Sequence, residues 1–152
     1  MNQVKMKIKY ISPLIGTTIK EPFYATVGSA GMDLSACIEE PVVLRKGEIK
    51  MIPTGIAIGL PSSEYAAFVY ARSGLACKHG ICLANSVGVI DSDYTGEIKC
   101  GLINLGPEDF TIQPGDRIAQ LVISPVVQVQ LAVCEELDQT QRGSGGFGST
   151  GK

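Results

Sequence analysis

The sequence predicts an all-β sandwich or barrel, and three features lead there. Glycine and proline punctuate the chain at short intervals: Pro41, Gly47, Pro53, Gly59 with Pro61, Gly80, Gly96, Gly106 with Pro107, and Pro114 with Gly115. The runs between them alternate apolar and polar residues, the signature of short half-buried strands. A length of 152 residues with 45% hydrophobic and 18% charged content suits one globular domain with a real core.

The elements follow in order. MNQVKMKIKY sets Val4, Met6, Ile8 and Tyr10 against Lys5, Lys7 and Lys9, which predicts a half-buried strand. It is not a signal peptide, which needs an unbroken apolar core. GIAIGLP places Ile56, Ile58 and Leu60 on one face. Glu64 to Tyr70 has helix-compatible residues, but its aromatic and β-branched content favours a strand. Ser73 to Lys78 then predicts a short helix, capped by Ser73 and ended by Gly80. EIKCGLINLG puts Ile98, Cys100 and Leu102 on one face. PVVQVQLAV alternates Val127, Val129 and Leu131 with Gln128 and Gln130, a last predicted strand. RGSGGFGSTGK, from Arg142 to the end, is too poor in apolar surface to fold by itself. It is either a disordered tail or a segment that orders over a ligand. The division expected is a core over residues 1–138 and a glycine-rich arm over 139–152.

Composition narrows the function. A formal charge of -2 gives no bulk basic field for nucleic acid. No stretch approaches the ~20 apolar residues of a membrane span. Five irregularly spaced cysteines suggest free thiols in a reducing cytoplasm. Cys77, His79 and Cys82 match no zinc spacing, and two small apolar residues beside a surface histidine explain them.

Two motifs in the tail mislead. GSGGFG fits G-x-G-x-x-G, and GFGSTGK fits all but the last position of a P-loop. Both motifs need a strand before the loop and a helix after it, and here the sequence stops with no helix to follow. NSVGVIDSDYTGE, Asn85 to Glu97, is richer. Asp91 and Asp93 share a face if the backbone is extended. Such a pair can hold a divalent ion or divide into a base and a brace, or it is solvated turn decoration. ARSGLA offers Arg72, Ser73 and free amides as an anion cradle, or an arginine paired with a carboxylate beside a helix cap. GDRIAQL offers Asp116, Arg117 and Gln120 after a Pro114-Gly115 turn, with Ile118 and Leu121 inward.

Together, SAGMDLSA, YARSGLA, ANSVGVIDSDYTGE, GDRIAQLVI and RGSGGFGSTGK resemble, in order and spacing, the five motifs of the trimeric dUTP pyrophosphatases. The resemblance runs from about Ala30 to the C-terminus. The third and fifth motifs are the most specific. Met32 and Ala71 depart from residues common in the family, but neither replaces a reacting polar group.

The resemblance implies a jelly-roll-like homotrimer that hydrolyses dUTP to dUMP and pyrophosphate with Mg2+, at sites between subunits. It implies that Asp91 holds and deprotonates the attacking water and that Gln120 joins the phosphate and water network. Arg72, Ser73 and Gly74 would grip phosphates. For Arg72 a structural pairing, with Asp93 the expected partner, is the slightly favoured alternative. Asp33 would orient a magnesium-bound water from outside the coordination shell, or brace a turn. The hairpin between Asn85 and Tyr94, including Gly88 and Ile90, would read uracil. Tyr94 would lie under the sugar, or sit as a turn aromatic on the core edge. In the arm, Arg142 would meet the γ-phosphate, Phe147 would stack on the base, and Gly148 and Ser149 would complete the lid. Two rivals are a dCTP deaminase-like enzyme, which activates water at the base, and a nucleotide-gated regulatory module. VIDSDY and the arm motif favour hydrolysis.

Overall fold

The computed structural model describes residues 4–147. Eleven strands and one helix run β1 Lys7–Tyr10, β2 Phe23–Tyr24, β3 Met32–Ser35, β4 Val42–Leu44, β5 Ile49–Gly59, β6 Tyr65–Tyr70, α1 Ser73–His79, β7 Ile81–Leu83, β8 Val87–Ile90, β9 Glu97–Asn104, β10 Phe110–Ile112 and β11 Arg117–Pro125. Three antiparallel sheets form: β1-β5-β9-β7, β2-β3-β11-β6-β8, and the pair β10-β4. The architecture is the predicted all-β one. Neighbours in a sheet are rarely neighbours in sequence, so the chain crosses repeatedly between layers.

Alternation places the core. In β9, Ile98, Cys100, Leu102 and Asn104 are buried while the residues between them are not fully so. Ile98, Cys100 and Leu102 meet Leu34, Leu44, Ile52, Ile56, Ile112 and Leu121 in one cluster. Ile118 and Leu121 both point inward, as the GDRIAQL pattern predicts.

β5 breaks the rule. Residues 54–58 are all buried, because a bulge between Pro53 and Ala57 shifts the register against β9. Proline has no N–H to give a ladder, and a bulge tolerates it. Gly55 occupies the left-handed region at φ +71. The bulge's polar groups are satisfied: Gly55 O accepts from Ile11 N at 2.7 Å, and Thr54 Oγ1 donates to Ile98 O at 2.6 Å.

Two predicted strands differ from expectation. β1 is only four residues long and its side chains are exposed, with Met6, just ahead of it, packing on the core. PVVQVQLAV forms no strand: β11 stops at Pro125, and Val127, Val129, Leu131 and Val133 stand almost wholly in solvent. A strand needs a free sheet edge for its backbone hydrogen bonds, and the segment pairs with none in its own chain. No helix among the described residues is long and apolar enough to cross a membrane.

Candidate functional site

One cluster forms where β3, β11 and β6 lie side by side. Register places Gln120 opposite Asp33 on one flank and opposite Tyr70 on the other. Beyond Tyr70 the chain turns through Ala71 and Arg72 into α1. A cavity of about 240 Å³ opens there, lined by Gly31, Asp33, Arg72, Ser73, Gly74, Arg117 and Gln120. Five of the predicted residues therefore share one pocket. Gln120 Nε2 donates to Ala71 O at 3.0 Å, which steadies the carboxamide. A Cβ at Gly31 would lie 3.0 Å from Gln120 Oε1, so a side chain there would press on the carboxamide.

Asp33 is the buried anion of this pocket. Arg72 Nε donates to its Oδ1 at 2.8 Å, and Arg117 Nη1 donates to its Oδ2 at 2.9 Å. Arg72 is thus paired structurally, but with Asp33 and not with Asp93, because the chain leaving β6 crosses the end of β11 toward β3. The two arginines and one carboxylate leave net positive charge facing the pocket, which suits an anion. Ser73 does not cap the helix. Arg72 holds the cap position in extended conformation, no side chain caps it, and Ser73 is the first helical residue. Its hydroxyl carries no helix-capping bond. Gly80 ends the helix as predicted, at φ 70.

A second cavity, of about 400 Å³, lies against β8 and β9. Its walls include Asn85, Gly88, Ile90, Asp91, Tyr94 and Glu97. The stretch that builds it is not a hairpin. β8 pairs with β6 in the five-stranded sheet, while β9 lies in the other sheet, so residues 91–96 arch between layers. Ser86, at φ 64, turns the chain from β7 into β8. Gly88 leaves room for Val69, whose Cβ would stand 3.2 Å from an added Cβ.

Asp91 and Asp93 do not share a face. Tyr94 N donates to Asp91 O at 3.1 Å, closing a turn that rotates the two side chains apart. Asp91 lines the cavity and Asp93 does not. Tyr94 fits both of its readings. Its hydroxyl donates to Glu97 O at 2.9 Å and its ring covers Gly96, where a Cβ would meet the hydroxyl oxygen at 2.6 Å. It also lines the cavity.

The two cavities share no residue of the predicted site. Gln120 is level with Tyr70, and Tyr70 with Val87, while Asp91 is four residues beyond Val87. Two strand spacings across and four residues along put Asp91 roughly 16 Å from Gln120. Arg142 and Phe147 line neither cavity. Arg142 Nε donates to Gly145 O at 2.8 Å, a local loop, and Phe147 is fully exposed. Gly148 and Ser149 lie outside the described residues.

Arg117 is the residue that the sequence reading left without a role. Its signal was GDRIAQL itself: a bulge between Arg117 and Ala119 shifts the register, and Arg117 reaches Asp33. Bulges of this kind leave no mark in a period-two pattern. Among the described residues, no three His, Cys, Asp or Glu side chains converge as metal ligands. Cys77 is exposed, and His79 packs on Phe110 with ring centroids 5.1 Å apart.

Known proteins match this architecture closely. The chain is 51% identical to the deoxyuridine 5'-triphosphate nucleotidohydrolase of Idiomarina loihiensis, covering 100% of this chain and 99% of the relative. It is 52% identical to that of Desulfitobacterium hafniense, covering 99% of each. Its fold superposes on a variant dUTPase of Staphylococcus bacteriophage 80alpha solved with dUpNHpp, with a TM-score of 0.84, 26% identity, and coverage of 97% and 99%. The dUTPase family model matches residues 17–151, and on that match the chain belongs to the dUTPase family.

Proposed function

We propose that the chain hydrolyses dUTP to dUMP and pyrophosphate at sites completed between copies of itself. One observation carries the reading. A basic pocket suited to phosphates and a second pocket walled by Asn85, Gly88, Ile90 and Tyr94 with Asp91 beside them are both well formed, yet roughly 16 Å separates Gln120 from Asp91 by strand geometry. A nucleotide that uses both needs the second from a neighbouring subunit. The exposed alternation of Val127 to Val133 supports assembly, since such a segment buries apolar area only against another chain. The assembly is a homotrimer, with the arm of a further copy over each site.

Each residue then has a task. Uracil presents acceptor, donor and acceptor along its pairing edge. The Asn85 amide and the backbone around Gly88 and Ile90 match that pattern and leave cytosine's reversed groups unpaired, which discriminates strongly. The wall at Ile90 and Tyr94 excludes a ribose hydroxyl and a thymine methyl. Ser73 and Gly74 donate their amides to phosphate oxygens, and Arg72 adds charge. Gln120 orders the phosphate and water network.

Asp91 accepts a proton from a water held in line with the α-phosphorus. The water oxygen bonds to phosphorus as the bridging oxygen leaves with pyrophosphate. Orientation of that water supplies the larger part of the acceleration. Arg142 then meets the γ-phosphate, Phe147 stacks on the base, and Gly148 and Ser149 close behind them, which excludes water.

The donor set fits magnesium held by substrate. The phosphate pocket contains one carboxylate, and both of its oxygens already accept from arginine. That leaves it suited to contact a metal-bound water and not the ion itself. When bound to the triphosphate, magnesium neutralises phosphate charge in the transition state.

The test is a panel of nucleoside triphosphates with and without magnesium, resolved by chromatography. Pyrophosphate and dUMP from dUTP alone are expected. Ammonia and dUTP from dCTP would establish the deaminase instead. Asp91→Asn should bind dUpNHpp normally and lose roughly 10²- to 10⁴-fold in turnover. Near-parent turnover would overturn the assignment of the base.

A further inference from the structure

We propose that Asn104 is a positioning residue for phosphate binding: through the turn at 105–106 it fixes the helix that brings Ser73 and Gly74 into the phosphate pocket. The inference rests on the dUTP reading above.

Asn104 closes β9 and is completely buried. Its side chain uses three polar sites on three backbone partners. Nδ2 donates to Leu44 O at 2.9 Å and to Glu108 O at 2.8 Å, and Oδ1 accepts from Gly106 N at 2.9 Å. Its backbone adds two more bonds, donating to Glu48 O and accepting from Gly47 N. The residue thus ties β4, β9 and the 105–108 turn into one unit. A buried polar group satisfied this fully rigidifies its surroundings.

That unit grips the end of α1. Leu105 N donates to Gly80 O at 2.9 Å. A Cβ on Gly80 would lie 2.3 Å from Gly106 N, and a Cβ on Gly106 would lie 2.2 Å from His79 O. Two glycine backbones therefore touch with no room for a methyl group. At its other end Arg72 is tied to Asp33 and to Arg117 O, and beside Gly80 His79 packs on Phe110. None of its residues is buried, no side chain caps its start, and only Leu75 packs partly on the core.

At seven residues the helix is only about 10 Å long, so a shift at Gly80 reaches Ser73 by working against the Arg72 tie. Ser73 and Gly74 face Asp33, Gln120 and Arg117 across the pocket. Misplacement of a positioning group by about 1 Å can cost roughly 10²-fold in rate. The uracil pocket is lined along β9 by residues 97–101, and neither Asn104 nor residues 105–108 line it.

Gly106→Ala tests the idea. Gly106 lies outside the left-handed region, so alanine adds bulk without backbone strain and the helix end must move. Binding of deoxyuridine and of dUpNHpp is measured by calorimetry on the parent and the variant. Deoxyuridine affinity should stay within about twofold, while dUpNHpp affinity falls by about tenfold or more. Turnover should fall with it. Where the alanine variant does not fold, Asn104→Ser replaces it, since serine adds no bulk yet reaches neither carbonyl, and the same ratio should shift the same way. Equal losses for both ligands, or no change, would overturn the inference alone. A parent chain that binds neither ligand would overturn the nucleotide reading and this inference with it.

Discussion

Asp33 shows how much one side chain can anchor. It holds Arg72 and Arg117 at 2.8 and 2.9 Å, so its loss strands two cations at the mouth of the phosphate pocket. Asp33→Asn should lower stability by roughly 1–2 kcal/mol, modest because Arg117 is half exposed. It should also raise the magnesium concentration needed for half-maximal turnover. Urea denaturation and a magnesium titration check both effects, and an unchanged titration would reduce Asp33 to a brace. The thiols divide by the same logic of burial. Burial pushes the Cys100 thiol up to about 12, so it stays protonated and inert at neutral pH. Cys77 and Cys134 are exposed. Iodoacetamide at pH 8 should label those two on the native protein and reach Cys100 only after unfolding, which peptide mass spectrometry would show.

Elements were legible in the sequence where one period governed them. β9 declared itself because Ile98, Cys100 and Leu102 alternate cleanly, and α1 ended where Gly80 said it would. The bulged strands did not. Residues 54–58 are buried on both faces, and Arg117 leaves its expected register, because a bulge depends on a partner strand distant in sequence. Asp91 was recognisable as a candidate, but its separation from Asp93 was not, since the turn closed by Tyr94 N on Asp91 O breaks the extended backbone that a shared face needs. Gly55 marks the β5 bulge with φ +71, and a Cβ there would lie 2.6 Å from Cys37 Sγ. Gly55→Ala should therefore destabilise by roughly 2–4 kcal/mol, from backbone strain and overpacking together. Denaturant midpoints would show it, and a loss below about 0.5 kcal/mol would mean that the bulge relaxes at little cost.

At the scale of the whole molecule, two features of the single chain support the proposed assembly. Its candidate site residues outside the arm fall into two cavities, and Val127, Val129, Leu131 and Val133 lie bare. Residue patterns alone show neither; only the resemblance in the motifs implied sites between subunits. Cutting the chain after Gln141 should leave the oligomer intact by light scattering while turnover collapses, because Arg142 and Phe147 go with the arm. The most direct measurement mixes two inactive variants, Asp91→Asn and Gln120→Ala, unfolds them together and refolds them. If each site draws its two pockets from different copies, hybrids contain sites in which both residues are intact, and activity returns although neither parent has any. A mixture that stays as inactive as its parents would place both pockets of each site in one chain and contradict the account.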